Sequence, residues 1–183
     1  WLSKSNDPKR KLKWSWELAQ EKQIIIGVNT HNPNKIIQEA ITDNKIKTLL
    51  NYEILKREVK YGSNSKIDIL LKDSKKSDCY IEIKNVHLSR TKGVAEFPDA
   101  VTTRGTKHLK ELSRVSNSGC RAVMIYLIQR NDCKFFKIAD DIDTIYANEF
   151  KKAIKAGVEV ICIDTILNTK EITIGKNIKL LNK

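Results

Sequence analysis

The sequence lacks the features of several protein classes. No apolar run approaches the roughly 20 residues that a membrane-spanning helix needs, and no apolar stretch near the start is followed by a small-residue cleavage site. We therefore predict a cytoplasmic protein with no membrane partner. The four cysteines, Cys79, Cys120, Cys133 and Cys162, lack the close paired spacing of a zinc site, so reduced, mostly buried thiols are expected.

Acidic residues are scarce relative to basic ones. The 183 residues include 34 Lys and Arg against 22 Asp and Glu, which gives a formal charge of +12. Such a charge attracts polyanions, either nucleic acid or an anionic membrane surface. A membrane-surface protein would carry a basic amphipathic helix, whereas these basic residues are spread over loops, strands and both faces of helices. Nucleic acid is therefore the favoured partner.

The first quarter of the chain predicts a hairpin and a helix. Residues 14–21 and 23–28 have the composition of two pairing strands, and the three consecutive isoleucines of the second should be buried. Asn32 is the expected N-cap of a helix with Pro33 at its first position.

The rest of the chain alternates between strand and helix patterns. Residues 53–61, 67–71 and 79–84 alternate and predict an antiparallel meander, with Leu55, Val59 and Tyr61 on one face of its first strand. Further elements are expected as follows: helices at 102–116 and around 145–154, a central strand at 122–128 covered on both faces, and a strand at 158–163. Acids just before the second of these helices, Asp143 among them, favour capping over a metal site.

Two acids and a lysine form the strongest chemical pattern. Asp68 lies in an apolar strand, on the face that includes Leu70, where an unpaired carboxylate costs several kcal/mol and needs a cation or solvent. Glu82 and Lys84 are two residues apart on one strand and share a face, and strand pairing can bring Asp68 beside them. Glu39, on the first helix, could reach the same place from the side.

This combination suits phosphodiester hydrolysis. Carboxylate oxygens hold Mg²⁺ or Mn²⁺ while leaving coordination positions for water and a phosphate oxygen. Lys84 could position or deprotonate the attacking water, or neutralise charge on the phosphorus, and the sequence does not separate these roles. The alternative is a plain cross-strand salt bridge, which an Asp followed by E-x-K forms by chance in a lysine-rich chain.

Short motifs spread over almost the whole chain carry a family resemblance. In chain order they are Asn6-Asp7-Pro8-Lys9-Arg10-Lys11, Trp16-Glu17-Leu18, Val28-Asn29-Thr30, Asn34, Glu39-Ala40-Ile41, Glu58-Val59-Lys60-Tyr61-Gly62, Cys79-Tyr80-Ile81-Glu82-Ile83-Lys84-Asn85-Val86, Phe97-Pro98-Asp99-Ala100-Val101-Thr102, Arg104-Gly105, Lys107-His108-Leu109, and Gly119 with Arg121-Ala122-Val123. Together they resemble the sugar fermentation stimulation protein A family. The chain departs from the family pattern at Thr103, where an acid is usual, and at His87 and Glu96.

The resemblance implies an α/β fold in which a mixed central sheet is flanked by helices, a restriction-endonuclease-like PD-(D/E)xK core. Residues 32–183 would form this nuclease-like domain. Residues 1–31 would be a connecting segment and hairpin after an N-terminal OB-like barrel that is missing here. The family's acidic cluster falls on Glu39, Asp68 and Glu82, with Lys84. The implied partner is DNA, bound without sequence preference, while RNA and a homo-oligomer stay open.

Two functions follow as hypotheses. The first is a DNA-binding, Mg²⁺-dependent nuclease of this family, with Asp68 and Glu82 as metal ligands and Lys84 and Glu39 completing the catalytic set. The second is a non-catalytic, sequence-nonspecific DNA-binding regulator linked to sugar (maltose) metabolism. The side chains expected to contact nucleic acid in either case are Arg104 and His108, four apart on one helical face, with Lys107 and the basic arm Lys9, Arg10 and Lys11.

Overall fold

Helices and strands alternate along the chain, which the computed structural model describes over residues 1–62 and 65–181. The helices within these ranges are α1 (Asn32–Thr42), a 3₁₀ turn (Lys47–Leu49), α2 (Thr103–Asn117) and α3 (Thr144–Lys155). The strands are β1 (Leu2–Lys4), β2 (Trp14–Trp16), β3 (Leu18–Glu21), β4 (Ile24–Gly27), β5 (Ile54–Tyr61), β6 (Ser65–Lys72), β7 (Cys79–Val86), β8 (Leu88–Thr91), β9 (Val94–Phe97), β10 (Arg121–Ile128), β11 (Phe135–Ile138), β12 (Glu159–Leu167), β13 (Ile172–Asn177) and β14 (Lys179–Leu180).

A six-stranded mixed sheet in the order β13-β12-β10-β7-β6-β5 forms the centre of the fold. β10 runs parallel to both β7 and β12, while β5, β6 and β13 are antiparallel to their neighbours. The meander β5-β6-β7 and the central strand β10 confirm the sequence prediction. β10 is buried along nearly its whole length because both of its faces are apolar.

Helices cover both faces of this sheet, as predicted. Ile37 and Ile41 of α1 pack on one face with Ile81 and Val123. The other face packs against apolar residues of α2 and α3, such as Leu109. A second, four-stranded sheet, β14-β11-β9-β8, also adds side chains to that core and was not predicted.

The regular alternation of β5 and β6 breaks near Asp68. Ile67 packs in the core on the α2 side and Ile69 in the core on the α1 side, although residues two apart normally share a face. On β5, Leu55 packs on the α1 side while Val59 and Tyr61 pack on the α2 side, so the prediction that these three share one face was wrong. Between them Glu58 has a φ of +52°, a left-handed conformation that changes which way the following side chains point.

The ends of the helices differ from the prediction at α1. His31, not Asn32, is its N-cap position, and the Asn32 amide instead donates to Glu17. α2 and α3 have side-chain caps: Thr102 accepts from the Gly105 N–H, and Asp143 accepts from the Tyr146 N–H. The capping role expected of Asp143 is thus confirmed.

The first residues of the chain form two antiparallel strand pairs, β1 with β2 and β3 with β4. The hairpin is confirmed, but the strand expected over 14–21 is two strands interrupted at Glu17. The isoleucines of β4 are half-buried rather than buried, because their hairpin forms a separate two-stranded sheet that meets the rest of the fold mainly at residues 129–131, for example through the Gly27 N–H, which donates to the Gln129 carbonyl. Of the described helices, none is long and apolar enough to cross a membrane.

Candidate functional site

Asp68 lies where β6 and β7 separate. The ladder between these strands covers residues 69–71 against residues 79–81. Beyond it the Asp68 carboxylate takes the place of a backbone acceptor: its Oδ2 accepts from the Ile83 N–H at 2.8 Å. Its Oδ1 accepts from the Asn34 amide of α1 at 2.9 Å. The side chain is therefore fixed from both sides and held at the gap between the strands.

Glu82 and Lys84 project from the same face of β7, as predicted, and contact each other. Lys84 Nζ donates to Glu82 Oε1 at 2.8 Å. His108 of α2 joins them, because its Nδ1 contacts Glu82 Oε1 and lies 3.1 Å from Lys84 Nζ. Arg104 Nε donates to the His108 Nε2 over 3.4 Å. In the neutral ring this leaves the proton on Nδ1, directed at Glu82.

Burial and neighbouring charges shift the pKa values of Asp68 and Glu82 in opposite directions. Burial, and then the charge of Glu82, raise the pKa of Asp68 to about 6, although Ile83, Asn34 and Lys84 oppose the shift. Burial also works against ionisation of Glu82, but His108 and Lys84 outweigh it and lower the pKa of that carboxyl. At neutral pH both groups are ionised in one low-dielectric place, an arrangement that favours a cation.

The donor set fits a hard divalent cation. Glu82 is 2 % exposed, and its Oε2 is buried without a hydrogen-bond partner in the described part of the chain. A buried carboxylate oxygen that lacks a partner needs one. No group of three or more His, Cys, Asp and Glu among residues 1–62 and 65–181 forms a complete ligand set. Asp68 and Glu82 would thus share the ion with water or substrate oxygens, as Mg²⁺ commonly allows.

A cavity of 630 Å³ opens beside His108. Its lining comprises Glu58, Lys60, Tyr61, Gly62, Ser65, Lys66, Arg104, Lys107 and His108. Four of these side chains are Lys or Arg and one is acidic, so the wall of the cavity is positively charged. A phosphate group entering it would meet Arg104 and Lys107, both exposed residues of α2.

The remaining predicted site residues lie elsewhere. Glu39 is exposed on α1 and lines a separate depression with Trp1 and Glu17, because five residues along a helix carry it away from Asn34. Lys9, Arg10 and Lys11 are exposed in the loop between β1 and β2 and are not among the residues that line the cavity. His108, expected to contact nucleic acid from the same helical face as Arg104, is 5 % exposed and lies inside the site.

Three residues that lie at or beside the site were not predicted as site residues from the sequence. Asn34 fixes Asp68, while Tyr61 and Glu111 are buried beside the cavity. Asn34 could have been found, since Pro33 starts the helix and its first turn must face the sheet. Glu111 is buried next to Gly62, which follows β5.

Comparisons with known proteins agree with this fold. Residues 31–171 match the family model described as the sugar fermentation stimulation protein RE domain. A sugar fermentation stimulation protein homolog of Paramagnetospirillum magneticum is 49 % identical over 175 residues, 96 % of this chain and 74 % of that protein. The homolog of Rhodospirillum centenum is 47 % identical over 180 residues, 98 % of this chain and 77 % of that protein.

A solved structure is also similar. The structure of Pyrococcus furiosus SfsA in complex with Ca²⁺ superposes with a TM-score of 0.90 at 24 % identity, covering 99 % of this chain and 77 % of that one. This likeness confirms the mixed sheet flanked by helices. The match to the family model and the sequence identity to relatives over nearly the whole chain show the family. The chain belongs to the sugar fermentation stimulation protein family.

Proposed function

We propose that this chain is a divalent-cation-dependent nuclease that hydrolyses phosphodiester bonds in DNA without sequence preference, on a core of the PD-(D/E)xK type. The observation that carries the proposal is that Asp68 accepts a hydrogen bond from the Ile83 N–H, between Glu82 and Lys84 on β7, where two adjacent strands separate near a cavity with basic walls. The Ca²⁺ complex of the Pyrococcus furiosus protein supports a hard cation in this fold.

Asp68 and Glu82 would hold the cation, Mg²⁺ or Mn²⁺. When bound, the ion supplies positive charge to a phosphate oxygen and lowers the pKa of a water molecule. Glu82 can bind the ion through Oε2 while Oε1 accepts the hydrogen bond from Lys84. The ion pair with Lys84 therefore leaves one carboxylate oxygen available to the metal. Asp68 retains lone pairs beyond its two hydrogen bonds, since a carboxylate offers about four acceptor sites.

Lys84 is the group placed for the reacting phosphate. Its side chain is 14 % exposed, enough to reach solvent at the mouth of the site, and Glu82 fixes its direction. From there the ammonium can orient the attacking water or stabilise charge on the phosphorus. Arg104 and Lys107 would bind flanking phosphates without contacting bases, and such binding would have no sequence preference.

A cleavage assay tests this function. The protein is incubated with supercoiled plasmid, single-stranded DNA and RNA in Mg²⁺ or Mn²⁺, alongside Glu82→Ala and Lys84→Ala. We expect wild-type cleavage and its loss in both variants, with binding retained in gel shifts. The +12 charge favours one competing function, a binding-only regulator. Salt-dependent DNA retardation with no cleavage of any substrate would establish that alternative.

A further inference from the structure

Two lysines face each other near the end of the β5–β6 hairpin. Lys60 and Lys66 are direct register partners across the two strands. Like charges directly opposite each other in an antiparallel pair repel and weaken the pairing. Both residues are exposed and line the 630 Å³ cavity, and neither side chain forms an ion pair or hydrogen bond within the described part of the chain. An anion bound between them would relieve this repulsion.

The opposite wall of the cavity adds two more cations. Arg104 and Lys107 are three residues apart on α2 and are therefore neighbours on the helix surface. Lys107 Nζ lies 3.8 Å from Oε1 of the buried Glu111, an ion pair that holds the lysine beside the cavity. Glu58 is the acidic residue of the lining. Four positive side chains and one negative side chain give the lining a net charge of +3.

The cavity is closed at one end. Gly62 follows β5, and a Cβ at this residue would come within 3.2 Å of Glu111 Oε1, so the hairpin packs against α2 there. At the other end Glu58 lies across from Asp68, because the residues on either side of both are register partners. Lys60 lies between these two ends. A strand that passes through needs two openings, whereas the end of a strand fits a cavity that opens towards the Asp68 centre.

We propose that this cavity binds the terminal phosphomonoester of a nucleic-acid strand and so presents the diester bonds next to that end to the Asp68–Glu82 centre. A phosphomonoester carries a charge of about −1.5 to −2 at pH 7 and three strong acceptor oxygens, whereas a phosphate within a strand carries a single charge. Lysine and arginine side chains donate charge-assisted hydrogen bonds to such oxygens. The inference rests on the proposed function, because the bound strand is the substrate of that centre.

The position of the lysines fits this arrangement. Lys60 is two residues from Glu58, which is about 7 Å along the strand. A terminal phosphate held by Lys60 and Lys66 therefore leaves the next phosphates of the strand on the side of Asp68.

Binding without cleavage tests the inference. In EDTA, fluorescence anisotropy compares single-stranded oligonucleotides of one sequence that carry a 5′-phosphate, a 3′-phosphate or only hydroxyl ends. We expect wild type to bind one phosphorylated form about tenfold more tightly than the hydroxyl-ended form, the effect of one charge-assisted hydrogen bond or more. The form that binds more tightly identifies the end of the strand that the cavity takes.

The double variant Lys60→Gln with Lys66→Gln should lose this preference. The matched control is Lys56→Gln with Lys75→Gln, which removes two exposed lysines of β5 and of the loop after β6 that do not line the cavity. The control should keep the preference. Urea unfolding checks the fold, and the first variant should be no less stable than wild type, because it removes a repulsion between like charges.

Two outcomes would overturn the inference: equal binding of all three oligonucleotides by wild type, or a preference that survives in Lys60→Gln with Lys66→Gln. The nuclease proposal fails separately, since these measurements contain no metal. Cleavage of plasmid by a protein with no preference for phosphorylated ends would leave the nuclease and remove the strand-end site. A lysine-dependent preference in a protein that cleaves no substrate would do the reverse.

Discussion

Lys84 Nζ and Glu82 Oε1 lie 2.8 Å apart, while the second oxygen of Glu82 is buried without a partner in the described chain. One carboxylate thus orients the lysine and still offers an oxygen to a cation. A simple salt bridge would instead satisfy the acid through the lysine and through solvent.

Lys84→Ala should abolish most cleavage and leave metal binding in place. The expected loss is about 10²–10⁴-fold in kcat, the usual contribution of a positioned proton-transfer group. Lys137→Ala is the matched control, since Lys137 also pairs with a buried glutamate, Glu96, at 3.0 Å but outside the site. Single-turnover cleavage by the two variants, with Mn²⁺ binding measured in parallel, checks this. Equal losses in both would mean that Lys84 serves only stability.

His108→Ala should lower kcat with little effect on DNA affinity. The ring is buried and holds Glu82 and Lys84, so its removal disturbs their positions rather than a phosphate contact. We expect a fall of about 10- to 100-fold, the effect of removing a group that orients a metal ligand. His108→Asn, which keeps a donor near the Nδ1 position, should restore part of the rate. A rise in KM with kcat unchanged would support the phosphate contact predicted from the sequence.

Asp68 should make the metal-free protein less stable as the pH rises. Its pKa is raised from 3.8 to about 6 in the folded chain. The contribution of Asp68 to the free energy of unfolding is therefore fully present below pH 3.8 and is lost as the pH rises through 6. In EDTA, raising the pH from about 4 to about 8 should shift the difference in free energy of unfolding in favour of Asp68→Asn by on the order of 2 kcal/mol. This shift adds to a pH-independent cost, because the variant replaces one carboxylate oxygen that accepts a hydrogen bond with an amide NH2.

Urea denaturation of both proteins across roughly pH 4 to 8 measures this difference, with the exposed Asp7→Asn as control. Relative to wild type, Asp68→Asn should become less stable towards the acid end of that range, and Mg²⁺ should stabilise wild type more than Asp68→Asn. A gap that is constant with pH would show that Asp68 does not titrate in this range.

Arg104 and Lys107 should contribute to DNA binding through phosphate contacts. The logarithm of the DNA-binding constant falls linearly with the logarithm of the salt concentration. Removing both charges should make this slope less steep by about 0.9 for each phosphate that is no longer neutralised. Lys151→Ala with Lys155→Ala, exposed lysines of α3 away from the cavity, is the matched control. Fluorescence anisotropy at several salt concentrations gives both slopes. Equal reductions in the two double variants would mean that the charge acts at long range and not in the cavity.

The sequence predicted the long elements because their apolar positions repeat regularly. The helix α2 has 15 residues and buries one apolar stripe. The strands β7 and β10 have eight residues each and are buried over most of their length. Short strands such as β8 and β14 were missed, since four residues or fewer with mixed polarity carry no period. Their pairing depends on contacts with distant parts of the chain.

The site was predicted in part for similar reasons. Glu82 and Lys84 share a face because β7, unlike β6, keeps the regular alternation of a strand, in which residues two apart point the same way. The placement of Glu39 failed because a helix face is set by packing, and α1 turns Asn34 towards Asp68 instead. The burial of His108 and Glu111 depends on how α2 packs against β7 and β10, which no local pattern in the sequence specifies.

The most direct test of the central claim is a crystal structure with bound Mn²⁺, with the ion located by its anomalous scattering. The account predicts a peak within bonding distance of Glu82 Oε2 and an Asp68 carboxylate oxygen, with Lys84 still on Glu82 Oε1. Saturating Mn²⁺ with no peak at this place, and Glu82 Oε2 bonded to a protein donor instead, would contradict it.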